Sequence, residues 1–150
     1  EIDTGGWDEA RQVLWLSGHR RIELCRLTWK DIDLRARTWW IRSPEKKGGE
    51  RIEPIHLKLI PILKRRRKAE RVGPFRLNVV EKAWKKLKAR NPDLPIRTLH
   101  AFRAAFATRV ALAAGETAAQ KPLGHKTLAM TGRYNRSTGL QYREQLEALE

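Results

Sequence analysis

Tyr134 closes the stretch LGHKTLAMTGRY, residues 123–134, in a chain that has only two tyrosines. Basic side chains crowd it: His125, Lys126, Arg133 and Arg136. A phenol of pKa about 10 is a poor nucleophile until cations surround it. Three other places in the sequence collect groups that suit the same chemistry. Arg20 and Arg21 follow Gly18, and Lys46 and Lys47 sit in PEKKGG. His100 and Arg103 are three apart, so on a helix they lie about 60° apart around the axis, within reach of one phosphate. Two guanidiniums can clamp the non-bridging oxygens of a phosphodiester and stabilise the added charge of a pentacoordinate phosphorus. A lysine on a turn can protonate a departing alkoxide. Imidazoles can carry protons or donate to phosphate oxygens.

These groups need elements to hold them. WDEARQVLWL places apolar residues at 7, 10, 13, 14 and 16, a helical period that Gly18 ends. In SGHRRIELCRLTW, Ile22, Leu24, Cys25, Leu27 and Trp29 predict a second helix. TWWIRS and ERIEPI are β-prone runs on either side of PEKKGG, which predicts a hairpin. Pro54 assigns the second run to a sheet edge or a strand end. HLKLIPILKRRRKAER returns to helix, with Pro61 in its first turn. NVVEKAWKKLKAR follows, with Asn78 as N-cap and a stripe of Val79, Val80, Ala83, Trp84 and Leu87. Its other face carries Lys82, Lys85, Lys86 and Arg90. TLHAFRAAFATRVALAAG has Thr98 as cap, Phe102, Phe106 and Val110 on one side, and Gly115 as the stop. STGLQYREQLEALE predicts a last, acidic helix capped by Ser137, with Tyr142, Leu146 and Leu149 together. The tryptophans at 7, 15, 29, 39, 40 and 84 fit these stripes and the strand, so they are assigned to the core. The expected fold is α+β, mostly α-helical, with a small antiparallel β-sheet formed by the hairpin.

Composition narrows the function classes. A chain of 150 residues is one domain by its length, and 41% hydrophobic residues support a single core. Lys and Arg total 32 against 17 Asp and Glu, and 32 − 17 = +15 attracts polyanions, nucleic acid first. Membrane is the weaker partner, because no apolar run approaches the roughly 20 residues that span a bilayer. Cys25 is the only cysteine, and His19, His56, His100 and His125 show no metal-ligand spacing. A cytoplasmic protein without metal is the simplest expectation. Glu1 begins the sequence and Met130 is its only methionine, so the chain reads as an excised piece.

Four blocks, in order and register, resemble the catalytic domain of the tyrosine recombinase (phage integrase) family over roughly residues 7–140. SGHRRIELCRLTWKDIDL is similar to T-G-L-R-x-x-E-L-x-x-L-x-W-x-D-I-D, which matches Arg20 and its supporting acid Glu23. EKKGGERIEPI resembles the hairpin K-T-G-x-x-R-x-V-P-L, which matches Lys46. LHAFRAAFATR resembles H-x-L-R-H-T-F-A-T, matching His100 and Arg103, and LGHKTLAMTGRY resembles L-G-H-x-x-x-x-x-T-x-x-Y, matching His125 and Tyr134. The resemblance implies one catalytic domain over residues 1–150, without the family's N-terminal core-binding domain. It implies that Tyr134 attacks a DNA phosphodiester, forms a 3′-phosphotyrosyl bond and releases a 5′-hydroxyl, with no ATP or metal cofactor. Arg20, Arg103 and His125 would hold the phosphate, Lys46 would be the general acid, and His100 would manage the tyrosine proton. The implied partners are double-stranded DNA, sister protomers in a homotetramer joined by the C-terminal helix, and accessory DNA-bending proteins.

Where the chain departs from the family pattern, alternatives stay open. A one-residue slip exchanges Lys46 and Lys47, and Lys47 is otherwise a DNA contact. Arg21 is available as a second phosphate contact, and Lys82, Lys85 and Lys86 as contacts to the DNA backbone. The short run GETAAQKPLGH carries Pro122, which predicts a short or distorted helix before His125. The basic run at 64–68 reads as a solvated or backbone-contacting face. The terminal helix either docks on a neighbour or buries its stripe on its own chain. Two other functions compete with site-specific recombination: an inactive DNA-binding module of the same fold, and a type IB topoisomerase-like or telomere-resolving strand transferase.

Overall fold

The computed structural model describes residues 7–43, 49–70, 72–114 and 147. The described residues start with α1 (Trp7–Ser17) and α2 (Arg21–Arg26), then a 3-10 turn at Trp29–Asp31. Three strands follow, β1 (Ile32–Asp33), β2 (Thr38–Ile41) and β3 (Arg51–Pro54), paired antiparallel in that order. A 3-10 turn at Leu57–Leu59 leads into α3 (Ile60–Ala69), and α4 (Leu77–Arg90) and α5 (His100–Ala114) complete the described fold. The mostly helical α+β class with a small antiparallel sheet is as the sequence indicated. The sheet gains β1, a two-residue strand too short to leave a periodic signature. Pro54 satisfies both expectations, since it ends β3 and, among the described residues, β3 is an edge strand.

The core follows the helical period closely in α1, where Trp7, Ala10, Val13, Leu14 and Leu16 are all buried. They meet Phe102, Phe106 and Val110 of α5, which are buried at the predicted four-residue spacing. Gly18 makes this contact possible. It ends α1 at φ +65°, donating its N–H to Leu14 O at 3.0 Å. A Cβ there would stand 2.2 Å from the Phe106 ring. Only glycine satisfies both the left-handed turn and the close approach of α5.

Four local expectations need correction. The second helix stops at Arg26, because Thr28 and Asp31 start a competing turn: Asp31 Oδ2 accepts the Thr28 N–H and hydroxyl at 2.9 and 2.8 Å. Ile22, inside that helix, faces solvent. α4 begins at Leu77 with Arg76 as its cap residue, whose carbonyl accepts from Val79 and Val80; Asn78 lies inside the first turn. α5 begins at His100, with Thr98 contributing its carbonyl to the Ala101 N–H. Trp15 and Trp40 are exposed rather than core, each covered on one face by an arginine: Arg109 at 4.3 Å and Arg42 at 4.4 Å from the ring centroid. A guanidinium on an indole face is worth about 0.5–1 kcal/mol at such sites, which makes surface positions tolerable.

Candidate active site

The break between α1 and α2 sets the position of Arg20. After Gly18 the chain is extended at Arg20 (φ −66°, ψ 142°), and α2 starts at the next residue. Glu23, in the first turn of α2, reaches back to this junction. Its Oε2 accepts the Arg20 N–H at 2.8 Å and its Oε1 accepts Arg20 Nη1 at 2.9 Å. One carboxylate therefore caps the helix and fixes the guanidinium beside it.

Two more arginines converge on the same carboxylate. Arg51 of β3 donates Nη1 and Nη2 to Glu23 at 3.3 and 3.4 Å. Arg103 of α5 places Nη1 at 3.9 Å from Glu23 and donates it to Gly18 O at 2.7 Å. The side chain of Arg103 is 4% exposed, while that of Arg20 is 27% exposed. Behind them Glu53 accepts from Arg51 Nε and sits 2.7 Å from His19 Nε2. His19 is buried against Trp39, with ring centroids 4.5 Å apart, and its Nδ1 has no hydrogen-bond partner among the described residues.

The electrostatics of this cluster are strongly coupled. Burial raises the Glu23 pKa, but Arg51, His19 and the Arg20 N–H outweigh it and hold the carboxyl at about 2. Glu53 is likewise lowered, with burial opposed by Arg51 and by the His19 contact. Arg103 is pulled the other way: burial first and the Arg20 charge next lower it to about 10, against the attraction of Glu23. Three guanidiniums share two carboxylates, so positive charge is left over on the side that opens to solvent.

That side is a cleft of about 530 Å³ lined by His19, Arg20, Arg21, Glu23, His100 and Arg103, with Arg26, Arg42 and Arg97 around them. The fold thus brings together Arg20, Arg21, Glu23, His100 and Arg103 from α2 and α5. His100 is exposed, one turn before Arg103. Arg21 is engaged with Glu81 of α4 at 2.7 Å. Lys82, Lys85 and Lys86 are exposed on α4 but do not line this cleft. Lys46, Lys47, His125 and Tyr134 lie outside the described residues, as do Pro122, Ser137 and Tyr142. Among the described residues no group of three His, Cys, Asp or Glu side chains converges as metal ligands would. No described helix is long and apolar enough to cross a membrane. Cys25 is half-buried and its thiol is pushed up to about 11 by burial, which keeps it protonated.

Sequence reasoning missed Arg51, Glu53 and His19 as members of the cluster. Arg51 and Glu53 occupy alternate positions on β3, so they share a face, with Glu53 opposite Trp39 and Arg51 opposite Ile41. Two opposite charges at i and i+2 beside buried apolar partners is a readable signal for an inward-facing ion pair. Hydrophobicity alone turns Ile52 inward instead and conceals it.

A family model described as the phage integrase family matches residues 9–140. Among solved structures, the integrase from mycobacterium phage Brujita is similar with a TM-score of 0.71 and 21% identity, over 95% of this chain and 51% of that one. XerA recombinase gives a TM-score of 0.64 and 23% identity, over 95% of this chain and 57% of that one. The Tn1549 transposon integrase, in complex with transposon right end DNA, gives 0.64 and 22%, over 99% and 61%. The chain therefore spans little more than half the length of these structures. No curated protein matches it.

Proposed function

The chain belongs to the phage integrase family, and from that premise we propose that it is a DNA strand transferase that cleaves and rejoins DNA through a 3′-phosphotyrosyl intermediate. The observation that carries this reading is the convergence of Arg20 and Arg103 on Glu23 at the floor of an arginine-lined cleft. A buried cation pressed by desolvation and by a neighbouring cation, as Arg103 is, gains from an incoming anion. A phosphodiester supplies that anion, and the charge it develops as phosphorus becomes pentacoordinate increases the gain in the transition state.

In this account the Tyr134 hydroxyl oxygen attacks phosphorus, the new O–P bond forms, and the bond from phosphorus to the 5′ oxygen breaks. The tyrosine proton passes to His100, and Lys46 donates one to the departing 5′ oxygen. Arg20 and Arg103 hold the non-bridging oxygens, with His125 donating to the same group. Glu23 acts through Arg20 and Arg103 as a positioning residue. Attack by a 5′-hydroxyl on the phosphotyrosine reverses the step, so the bond energy is conserved and no ATP or metal enters the balance. The chain acts as a catalytic domain on double-stranded DNA, with Lys47 as a backbone contact and Lys82, Lys85 and Lys86 as further ones outside the cleft. On DNA it assembles as a homotetramer through residues 138–150, and accessory bending proteins would act on the DNA rather than on the cleft. The test is covalent trapping on nicked duplex DNA, followed by identification of the linked residue.

A further inference from the structure

The cleft holds more positive charge than one phosphate uses. Six arginines line it: Arg20, Arg21, Arg26, Arg42, Arg97 and Arg103. Four have carboxylate partners, since Arg20 and Arg103 reach Glu23, Arg21 reaches Glu81 and Arg42 reaches Asp31. Among the described residues Arg26 and Arg97 have none, and both are exposed. They arrive from different elements, Arg26 at the end of α2 and Arg97 in the segment between α4 and α5. Lys88 is fastened to the backbone of Arg97, donating Nζ to its carbonyl at 3.1 Å. A helix end favours a cation, which accounts for charge at position 26. It does not account for Arg97 facing the same space. Like charges gathered without counter-charge repel one another, and an external anion relieves that repulsion.

We infer that Arg26 and Arg97 bind a second backbone phosphate of the DNA, beside the one assigned to Arg20 and Arg103. This rests on the strand-transferase reading above. Guanidinium forks match phosphate oxygens in geometry, and a fixed second phosphate would hold the strand in register while the first reacts. The cleft then grips a stretch of strand rather than a point.

The experiment measures binding of a short mixed-sequence duplex across a range of KCl concentrations, for the intact chain and for Arg26→Ala/Arg97→Ala. The double variant is expected to show a salt slope shallower by about 0.9, the change for one lost phosphate contact. Arg26→Lys/Arg97→Lys should keep the slope. Arg35→Ala/Lys58→Ala, which removes two exposed cations away from the cleft, should also leave it unchanged. An unaltered slope in the alanine variant or an equal change in the Arg35/Lys58 control would each overturn the inference. An intact chain that forms adduct while the alanine variant keeps its slope sinks this inference alone. An intact chain that neither binds duplex nor forms adduct sinks the functional reading with it.

Discussion

Glu23 is the residue on which most of the site depends, because Arg20, Arg51 and Arg103 all approach one buried carboxylate. Removing its charge leaves buried guanidiniums without compensation, which typically costs about 3–5 kcal/mol. Glu23→Gln should lose stability on that scale at neutral pH, as read by urea denaturation. The same residue gives a pH signature. Its folded pKa of about 2 lies below the ordinary 4.5, so its stabilisation is fully present above pH 4.5 and fades as pH falls toward 2. The difference between the native chain and Glu23→Gln should therefore shrink through that window. A difference that stays constant from neutral pH down to about 2 would show that Glu23 carries no such charge in the folded state. Glu23 was legible through the resemblance of SGHRRIELCRLTWKDIDL to the family pattern, which implies a supporting acid there. Its partner Arg51 was not, because an arginine in a strand announces nothing about the helix it will face.

The elements explain how distant residues meet. α1 and α5 pack along the Leu14, Phe102, Phe106 and Val110 stripes, and Gly18 lets α5 come near enough for Arg103 to donate to its carbonyl. Gly18→Ala adds a left-handed strain of about 1–2 kcal/mol and about 1–3 kcal/mol of overpacking against Phe106. A loss of about 3 kcal/mol in unfolding free energy is expected, together with a fall in adduct formation as Arg103 withdraws. A variant of unchanged stability would mean that α5 does not rest on Gly18. The long, periodic helices were readable because their apolar spacing repeats several times. Short pieces were less so: Thr28 and Asp31 cut a helix that periodicity extends to Trp29, and β1 has too few residues for any pattern. Trp15 and Trp40 sit where the stripe and the strand have an outer side, and stacked arginines make that placement acceptable.

At the scale of the whole molecule, a net charge of +15 is distributed unevenly: cations gather in the cleft, along α3 and on the outer face of α4. The acidic end of the chain works against this field. Glu147 accepts from Arg37 Nη1 at 3.1 Å and from the Leu57 N–H at 3.2 Å, so it docks on its own chain. In the proposed assembly through residues 138–150, this contact would be exchanged for one on a neighbour. The solution mass on DNA should therefore be tetrameric for the intact chain and smaller after removal of residues 138–150. Equal masses would place the assembly surface elsewhere. Two sequence blocks, those of Arg20 and of His100 and Arg103, supply lining of the cleft, yet its full complement was not legible, because Arg26, Arg42 and Arg97 acquire meaning only once the fold puts them around one opening. The central claim remains that Tyr134 reacts with DNA, and trapping on nicked duplex tests it most directly. The account predicts a covalent protein–DNA adduct linked through Tyr134 and abolished in Tyr134→Phe. An adduct that persists in that variant, or one linked through Tyr142, would contradict it.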